Sequence, residues 1–175
     1  MIIGITGHTR GVGKEIYNTL SKNHTVLGFS RSSGYDIQNP KKILNQEMDV
    51  FVNNAYYETY QSTLLYDIFM LWKDLDKTII NINSSCIHQS GAWNPKYTAN
   101  KKHLAETTQG LLDRYPEKKV RVVNLNLGTL DSHANFQNFN KIECTRVADI
   151  VEWCIQQPQH IEIQQMTIIP TTQTK

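Results

Sequence analysis

Cysteine is scarce in this chain of 175 residues: Cys86, Cys144 and Cys154 are all it carries. An odd number at wide spacing, with no CxxC pair, excludes a disulfide framework and suits a reducing compartment. No apolar run approaches the roughly 18–20 residues that span a bilayer. Met1-Ile2-Ile3-Gly4 lacks the basic segment and long apolar stretch of a signal peptide. A membrane protein and a secreted mini-protein are thereby excluded, and a cytoplasmic location is expected. Charge is sparse as well. Eighteen basic residues face 16 acidic ones, for a net charge of +2, and the basic residues are scattered. Such a surface offers no footprint for duplex DNA, so neither nucleic acid nor membrane is an expected partner. Six histidines and the scattered carboxylates show no metal-ligand spacing, so no metal is expected. Repeats, low-complexity tracts and linkers are missing too. Hydrophobic residues, at 39%, suffice for a core, and the length fits one domain over residues 1–175.

Strands and helices alternate along the chain. Ile2 to Thr6, Thr25 to Phe29, Asp49 to Asn53, Thr78 to Asn83, Val120 to Leu127 and Ile161 to Ile169 read as strands, several of them continuously apolar. Gly11 to Lys22, Pro40 to Leu44, Leu64 to Leu75, Pro95 to Arg114 and Val147 to Gln156 read as helices. Tyr35-Asp36-Ile37 is a short extended piece in a polar loop. The alternation predicts an α/β fold: one doubly wound, Rossmann-type parallel sheet with helices on both faces.

The turn after the first strand reads Thr6-Gly7-His8-Thr9-Arg10-Gly11-Val12-Gly13. Glycines there permit a tight turn and let a pyrophosphate approach the backbone, and the helix start offers free N–H groups. Glycines at these three positions have a chance expectation of about 0.02 in this chain, which separates the motif from a mere packing turn. Gly13-Lys14 superficially suggests a P-loop. His8 and Glu15 stand where that motif needs Gly and Ser or Thr, so the P-loop is rejected.

From this turn onward the chain resembles the short-chain dehydrogenases/reductases, and the resemblance runs in order along nearly the whole length. Thr6-Gly-x-x-x-Gly-x-Gly13 is similar to the family's glycine motif. Asn53-Asn54-Ala55-Tyr56 is similar to its NNAG, with Tyr for Gly. Asn83-Ser84-Ser85 ends a strand as the active-site serine segment does, and Tyr97-Thr98-Ala99-Asn100-Lys101 matches YxxxK. Leu127-Gly128-Thr129-Leu130-Asp131-Ser132 resembles PGxxxT, and Pro158 to Thr171 resembles the last strand of carbonyl-reducing members. YxxxK alone is weak: about 0.6 copies arise by chance, and Tyr115 to Lys119 is a second one. Only Tyr97 and Lys101 fall inside a helix, where i and i+4 share a face.

The resemblance implies an NADP(H)-dependent oxidoreductase acting on a small carbonyl or alcohol. A phenol is a poor acid or base near neutrality, with an ordinary pKa of about 10, and a neighbouring ammonium lowers it. Tyr97 is thus implied as acid/base, Lys101 as its tuner and ribose ligand, and Ser85 as the hydroxyl positioning the substrate oxygen, with Ser84 the other candidate. The implied cofactor site takes Gly7, Thr9, Arg10, Gly11, Val12 and Gly13 from the turn. Ser30, Arg31, Asp36 and Ile37 add the adenosine side, and Asn54, Ala55, Gly128, Leu130 and Ser132 complete it with Tyr97 and Lys101. An acidic residue after the second strand favours NAD, and an arginine accepts a 2′-phosphate. Phe29-Ser30-Arg31-Ser32 has the arginine, and Arg10 adds a second.

Three departures stand out. The family's fourth-helix asparagine is missing: no Asn lies between Tyr57 and Lys77, where Ser62, Thr63 and Asp67 are the polar substitutes weighed. Tyr35-Asp36-Ile37 is all that remains of the third strand, with Asp36 expected on the adenine amino group. The lid segment, Thr129 to Thr145, is short; its His133, Asn135, Phe136 and Phe139 read as lid packing, and Trp93 as a pocket wall or a packing residue. These departures support an alternative, a non-catalytic NADP(H)-binding regulatory or scaffold module. Finally, Leu64, Leu65, Ile68, Phe69, Leu71, Trp72 and Leu75 cover more of one helix than a single core face needs, so a homodimer or homotetramer is expected.

Overall fold

A computed structural model describes residues 1–89, 94–132 and 140–171. Trp93, His133, Asn135, Phe136 and Phe139 lie outside the described residues. Strands β1 (Ile2–Thr6), β2 (Thr25–Phe29), β3 (Val50–Asn53), β4 (Thr78–Ser84), β5 (Arg121–Leu127) and β6 (Gln165–Ile168) form one parallel sheet in the order β2-β1-β3-β4-β5-β6. The helices are α1 (Gly11–Leu20), α2 (Lys41–Leu44), α3 (Tyr60–Trp72), α4 (Pro95–Arg114) and α5 (Cys144–Gln156). None of the described helices is long and apolar enough to cross a membrane.

The strands are apolar on both sides because both sides are covered. Val50, Val52, Ile80 and Ile82 face a core completed by Ile16 and Leu20 of α1 and Val147 and Val151 of α5. The intervening Phe51 and Ile79 face the opposite core, with Leu64, Ile68 and Phe69 of α3 and Leu104 and Leu111 of α4. This is the period of two expected of a strand. The doubly wound α/β sheet read from the sequence is the fold observed.

One expected strand is absent, and the apolar breadth of α3 has a cover within the chain. Tyr35-Asp36-Ile37 is not a strand: Asp36 pairs only with Asn39, antiparallel, and its Oδ1 accepts the Gln38 N–H at 3.0 Å. A parallel neighbour needs a crossover of about a dozen residues, and only five separate Phe29 from Tyr35. The chain instead makes a 3-10 turn (Arg31–Ser33) closed by a left-handed Gly34, and β2 becomes the sheet edge. The surplus of apolar positions near α3 is also covered within the chain. Leu64, Leu65, Ile68, Phe69 and Trp72 are buried between the sheet and α4, and of the seven only Leu71 and Leu75 are exposed. The pattern that predicted a partner is thus mostly the signature of a doubly packed helix. The last strand is shorter than read, starting at Gln165, and α5 starts earlier, at Cys144, whose N–H is held by Asp131 Oδ1 at 3.1 Å.

The strand order reverses between β1 and β3, which opens a crevice at their carboxyl ends. Thr6 ties its two walls. Its Oγ1 accepts the N–H groups of Asn54 (3.0 Å) and Ala55 (2.9 Å), and Asn54 Nδ2 returns a bond to Thr6 O at 2.9 Å. Thr6→Val keeps the shape and leaves the Ala55 N–H without an acceptor, while the Asn54 N–H keeps the Val52 carbonyl at 3.1 Å. Stability in urea, followed by circular dichroism, is expected to fall by about 2–3 kcal/mol; a loss below about 0.5 kcal/mol would show that the tie is dispensable.

Candidate active site

The crevice is a cleft of about 860 Å³. Its floor is the turn from β1 into α1. Gly7 and Gly11 adopt φ of 72° and 55°, in the left-handed region open to glycine. A Cβ on Gly13 would lie 2.2 Å from Gly7 O and 2.5 Å from Asn54 Nδ2, so only glycine lets α1 start this close to the strand. No side chain caps the α1 N-terminus and its first turn holds no acid, so its N–H groups and positive dipole end are left for an anion.

Of the expected cofactor residues, the cleft is lined by Gly7, Thr9, Arg10, Gly11, Val12, Gly13, Ser30, Arg31, Asp36, Ile37, Asn54, Ala55, Leu130 and Ser132. Gly128, Tyr97 and Lys101 do not line it. Gly128 packs toward β6, where a Cβ would meet Pro170 at 2.7 Å. Arg31 is exposed, and its guanidinium stands 5.9 Å from the Tyr57 ring centre. Ser30 caps the turn that carries Arg31, its hydroxyl 2.9 Å from those of Ser32 and Ser33. Asp36 spends one carboxylate oxygen on its own turn.

Beyond the cleft lies a second cluster. Asn94 Oδ1 accepts the Tyr97 N–H at 3.0 Å and starts α4, and one turn on, Lys101 is 4% exposed. Its Nζ donates to Gln61 Oε1 and to Ile82 O, both at 2.9 Å. The ammonium stands 5.4 Å from the centre of the Tyr56 ring and 5.7 Å from that of Tyr97, and the two rings meet edge to face at 5.0 Å. Tyr56, which lines the cleft, is therefore what connects the cleft to Tyr97 and Lys101. Asn100 Nδ2 donates to the Tyr56 hydroxyl at 3.0 Å and steadies that ring.

Of the two candidate serines, Ser84 is the one whose hydroxyl acts to lower the Tyr97 phenol pKa. Ser84 ends β4 and also accepts the Cys86 N–H at 3.3 Å, whereas Ser85 opens the following 3-10 turn. Ser84 precedes Tyr97 by thirteen positions and Ser85 by twelve. Gln61 was missed altogether. The search for an amide considered only Asn, yet Gln61 continues the buried stripe of Leu64, Leu65 and Ile68 back by one turn. A glutamine on an apolar stripe was the available signal. Ser62, one of the substitutes weighed, is buried as well, while Thr63 is exposed and Asp67 half-exposed.

Burial pushes the Tyr97 phenol up to about 12, with the Ser84 hydrogen bond pulling the other way. Burial pushes Lys101 down to about 7, opposed by the nearby Cys86. Near neutrality the phenol holds its proton.

The scan against protein-family models finds no match. An uncharacterized oxidoreductase of Staphylococcus epidermidis is 29% identical over 114 residues, 63% of this chain and 48% of that protein. The chain spans about half the length of the curated relatives it matches. Among solved structures, the closed form of a serine dehydrogenase complexed with NADP+ superposes with a TM-score of 0.85 at 19% identity, covering 100% of this chain and 97% of the other. A short-chain dehydrogenase/reductase from Vibrio parahaemolyticus gives 0.78 at 12% identity, with 97% and 99% covered. The fold is that of the short-chain dehydrogenases/reductases.

The Lys101 shift carries a stability consequence. Its pKa in the folded chain, about 7, lies below its ordinary value of 10.5. Between these two the unfolded chain binds the extra proton, so this lysine's unfavourable contribution is full below pH 7 and is relieved as pH rises. Relative to Lys101→Met, the parent is expected to gain stability from pH 7 to pH 10, with a slope approaching about 1.4 kcal/mol per pH unit. Urea denaturation at a series of pH values checks this; parallel curves for the two proteins would contradict it.

Proposed function

We propose that the chain is an NADP(H)-dependent oxidoreductase that transfers hydride between nicotinamide and a small carbonyl or alcohol. The observation that carries this reading is the placement of Tyr97 and Lys101 one turn apart on α4, the ammonium 5.7 Å from the phenol ring, beside a glycine-floored cleft of dinucleotide type. The cleft suits a dinucleotide phosphate: uncapped helical N–H groups face it, and Arg10 and Arg31 line it. NADP(H), when bound, supplies or accepts the hydride.

In this reading the chain's own part is to hold and move a proton. Tyr97, protonated near neutrality, donates its phenolic proton to the substrate oxygen as that oxygen gains charge. Ser84 orients the oxygen by its hydroxyl. Lys101 stabilises the phenolate that remains, by charge across a short, water-poor distance. Arg31, exposed at the start of the turn after β2, meets the 2′-phosphate, which a guanidinium binds by two parallel hydrogen bonds.

A second reading, a non-catalytic NADP(H)-binding module, draws on Tyr56. Its ring occupies the position of a glycine in the resembling motif and stands between the cleft and the Tyr97–Lys101 pair. Turnover with a panel of aldehydes, ketones and dicarbonyls separates the two readings.

On a confirmed substrate, Tyr97→Phe is expected to reduce turnover by a factor on the order of 10²–10⁴. Ser84→Ala is expected to fall substantially, while Ser85→Ala and Tyr115→Phe stay near the parent. A Tyr97→Phe protein as fast as the parent would overturn the assignment of Tyr97. If NADPH binds and no carbonyl is reduced, the binding-module reading takes its place.

Cofactor choice has its own test. Fluorescence titration is expected to give tighter binding of NADPH than of NADH, and Arg31→Asp is expected to narrow or invert the gap. Equal affinities in the parent would refute the role given to Arg31.

A further inference from the structure

Gln61 lies in the first turn of α3 and is 2% exposed. Its side-chain amide has no freedom of orientation. Nε2 donates to Asn53 O at 2.7 Å and to Ile82 O at 3.1 Å, while Oε1 accepts from Lys101 Nζ at 2.9 Å. Turning the amide over would set its oxygen against two carbonyl oxygens and its NH2 against an ammonium. The bonds therefore assign the oxygen to Lys101.

The surroundings hold Gln61 in that pose. Asn53 Nδ2 donates to the Gln61 carbonyl at 2.9 Å and to Asn81 Oδ1 at 3.0 Å. Asn81 Nδ2 in turn donates to Thr108 Oγ1 at 3.2 Å, back on α4. Ile82 O accepts from both Gln61 and Lys101, which closes a three-membered ring of contacts. The titratable groups facing Lys101 are Tyr56 after β3, Cys86 after β4 and Tyr97 on its own helix; α3 contributes the neutral Gln61. No carboxylate among the described residues pairs with this ammonium. A buried cation without an anion needs strong neutral acceptors, and a side-chain amide oxygen is one.

We infer that Gln61 is a positioning residue for Lys101: a preoriented amide oxygen that fixes the ammonium beneath Tyr97 and supports its charge directly. Its meaning for turnover rests on the reading of Tyr97 and Lys101 as the acid–base pair, but the contact itself can be tested without turnover.

The test uses the full chain labelled with [13C]lysine. The Lys101 Cε signal, identified by its loss in Lys101→Met, is followed against pH by NMR in the parent, in Gln61→Met and in Gln61→Glu. Methionine keeps the bulk and removes the acceptor. Glutamate keeps an acceptor and adds a negative charge. The Lys101 midpoint is expected to fall in Gln61→Met and to rise in Gln61→Glu, each by on the order of one pH unit. Midpoints that coincide with the parent's in folded variants would overturn the inference. If circular dichroism shows that neither variant folds, Gln61 is a structural residue and the inference is again overturned. Midpoints that move while the parent reduces no carbonyl support the positioning of Lys101 and remove the oxidoreductase reading instead.

Discussion

A parallel sheet covered on both faces offers no solvent to a polar side chain, yet this one buries five asparagines: Asn53, Asn81, Asn83, Asn124 and Asn126. They sit in register across the sheet, Asn53 beside Asn81, Asn81 beside Asn124 and Asn83 beside Asn126. Each must find partners or cost roughly 1–3 kcal/mol per unpaired group. The partners they find bind β3, β4 and β5 to α3, α4 and β6: Asn81 reaches Thr108, Asn83 reaches the Lys101 carbonyl, and Asn126 reaches Thr167. The polar constraint and the reactive cluster are thus the same region. Lys101 is held at its backbone by Asn83 and at its ammonium by Gln61, itself clasped by Asn53.

The two faces of the sheet divide the work. The α1–α5 side is packed with aliphatic side chains from Ile3 to Ile155. The α3–α4 side is apolar toward the amino ends of the strands, with Phe51, Ile79 and Val122, and turns to amides toward the carboxyl ends. A rigid apolar slab therefore carries the glycine turn, and a hydrogen-bonded layer carries Tyr97 and Lys101. The second depends on polarity, because a lysine nearly sealed from water needs fixed dipoles where solvent would otherwise be.

How much of this was legible follows from how local each feature is. The alternation of strands and helices is written in short-range periodicity, and all six strands of the sheet were read. That Tyr97 and Lys101 share a face of one helix was legible because i and i+4 is a local relation, and the glycine turn because its demands on φ and on Cβ are local too. The choice between Ser84 and Ser85 is not legible locally, because which hydroxyl turns inward at a strand end depends on how the next turn is capped. Gln61 was hidden because its meaning lies in partners 40 and 21 positions away, Lys101 and Ile82. The third strand was expected from resemblance, against a chain length that leaves no room for a crossover. The apolar breadth of α3 is ambiguous for a related reason: a helix wedged between a sheet and a second helix shows the same broad apolar stripe as one that meets another subunit.

The missing strand changes which part of the chain sets the shape of the cleft's outer end. With β2 at the edge, that wall is a five-residue turn, Ser30 to Gly34, closed by hydrogen bonds among Ser30, Ser32 and Ser33. No strand register and no core side chain depends on it: Arg31, Ser32, Ser33 and Gly34 are all exposed. Substitutions in this turn can redraw the outer wall while leaving the sheet untouched. The shape of the cleft's outer end and foldability are therefore governed by separate residues, and the first is free to drift under selection without a penalty in the second.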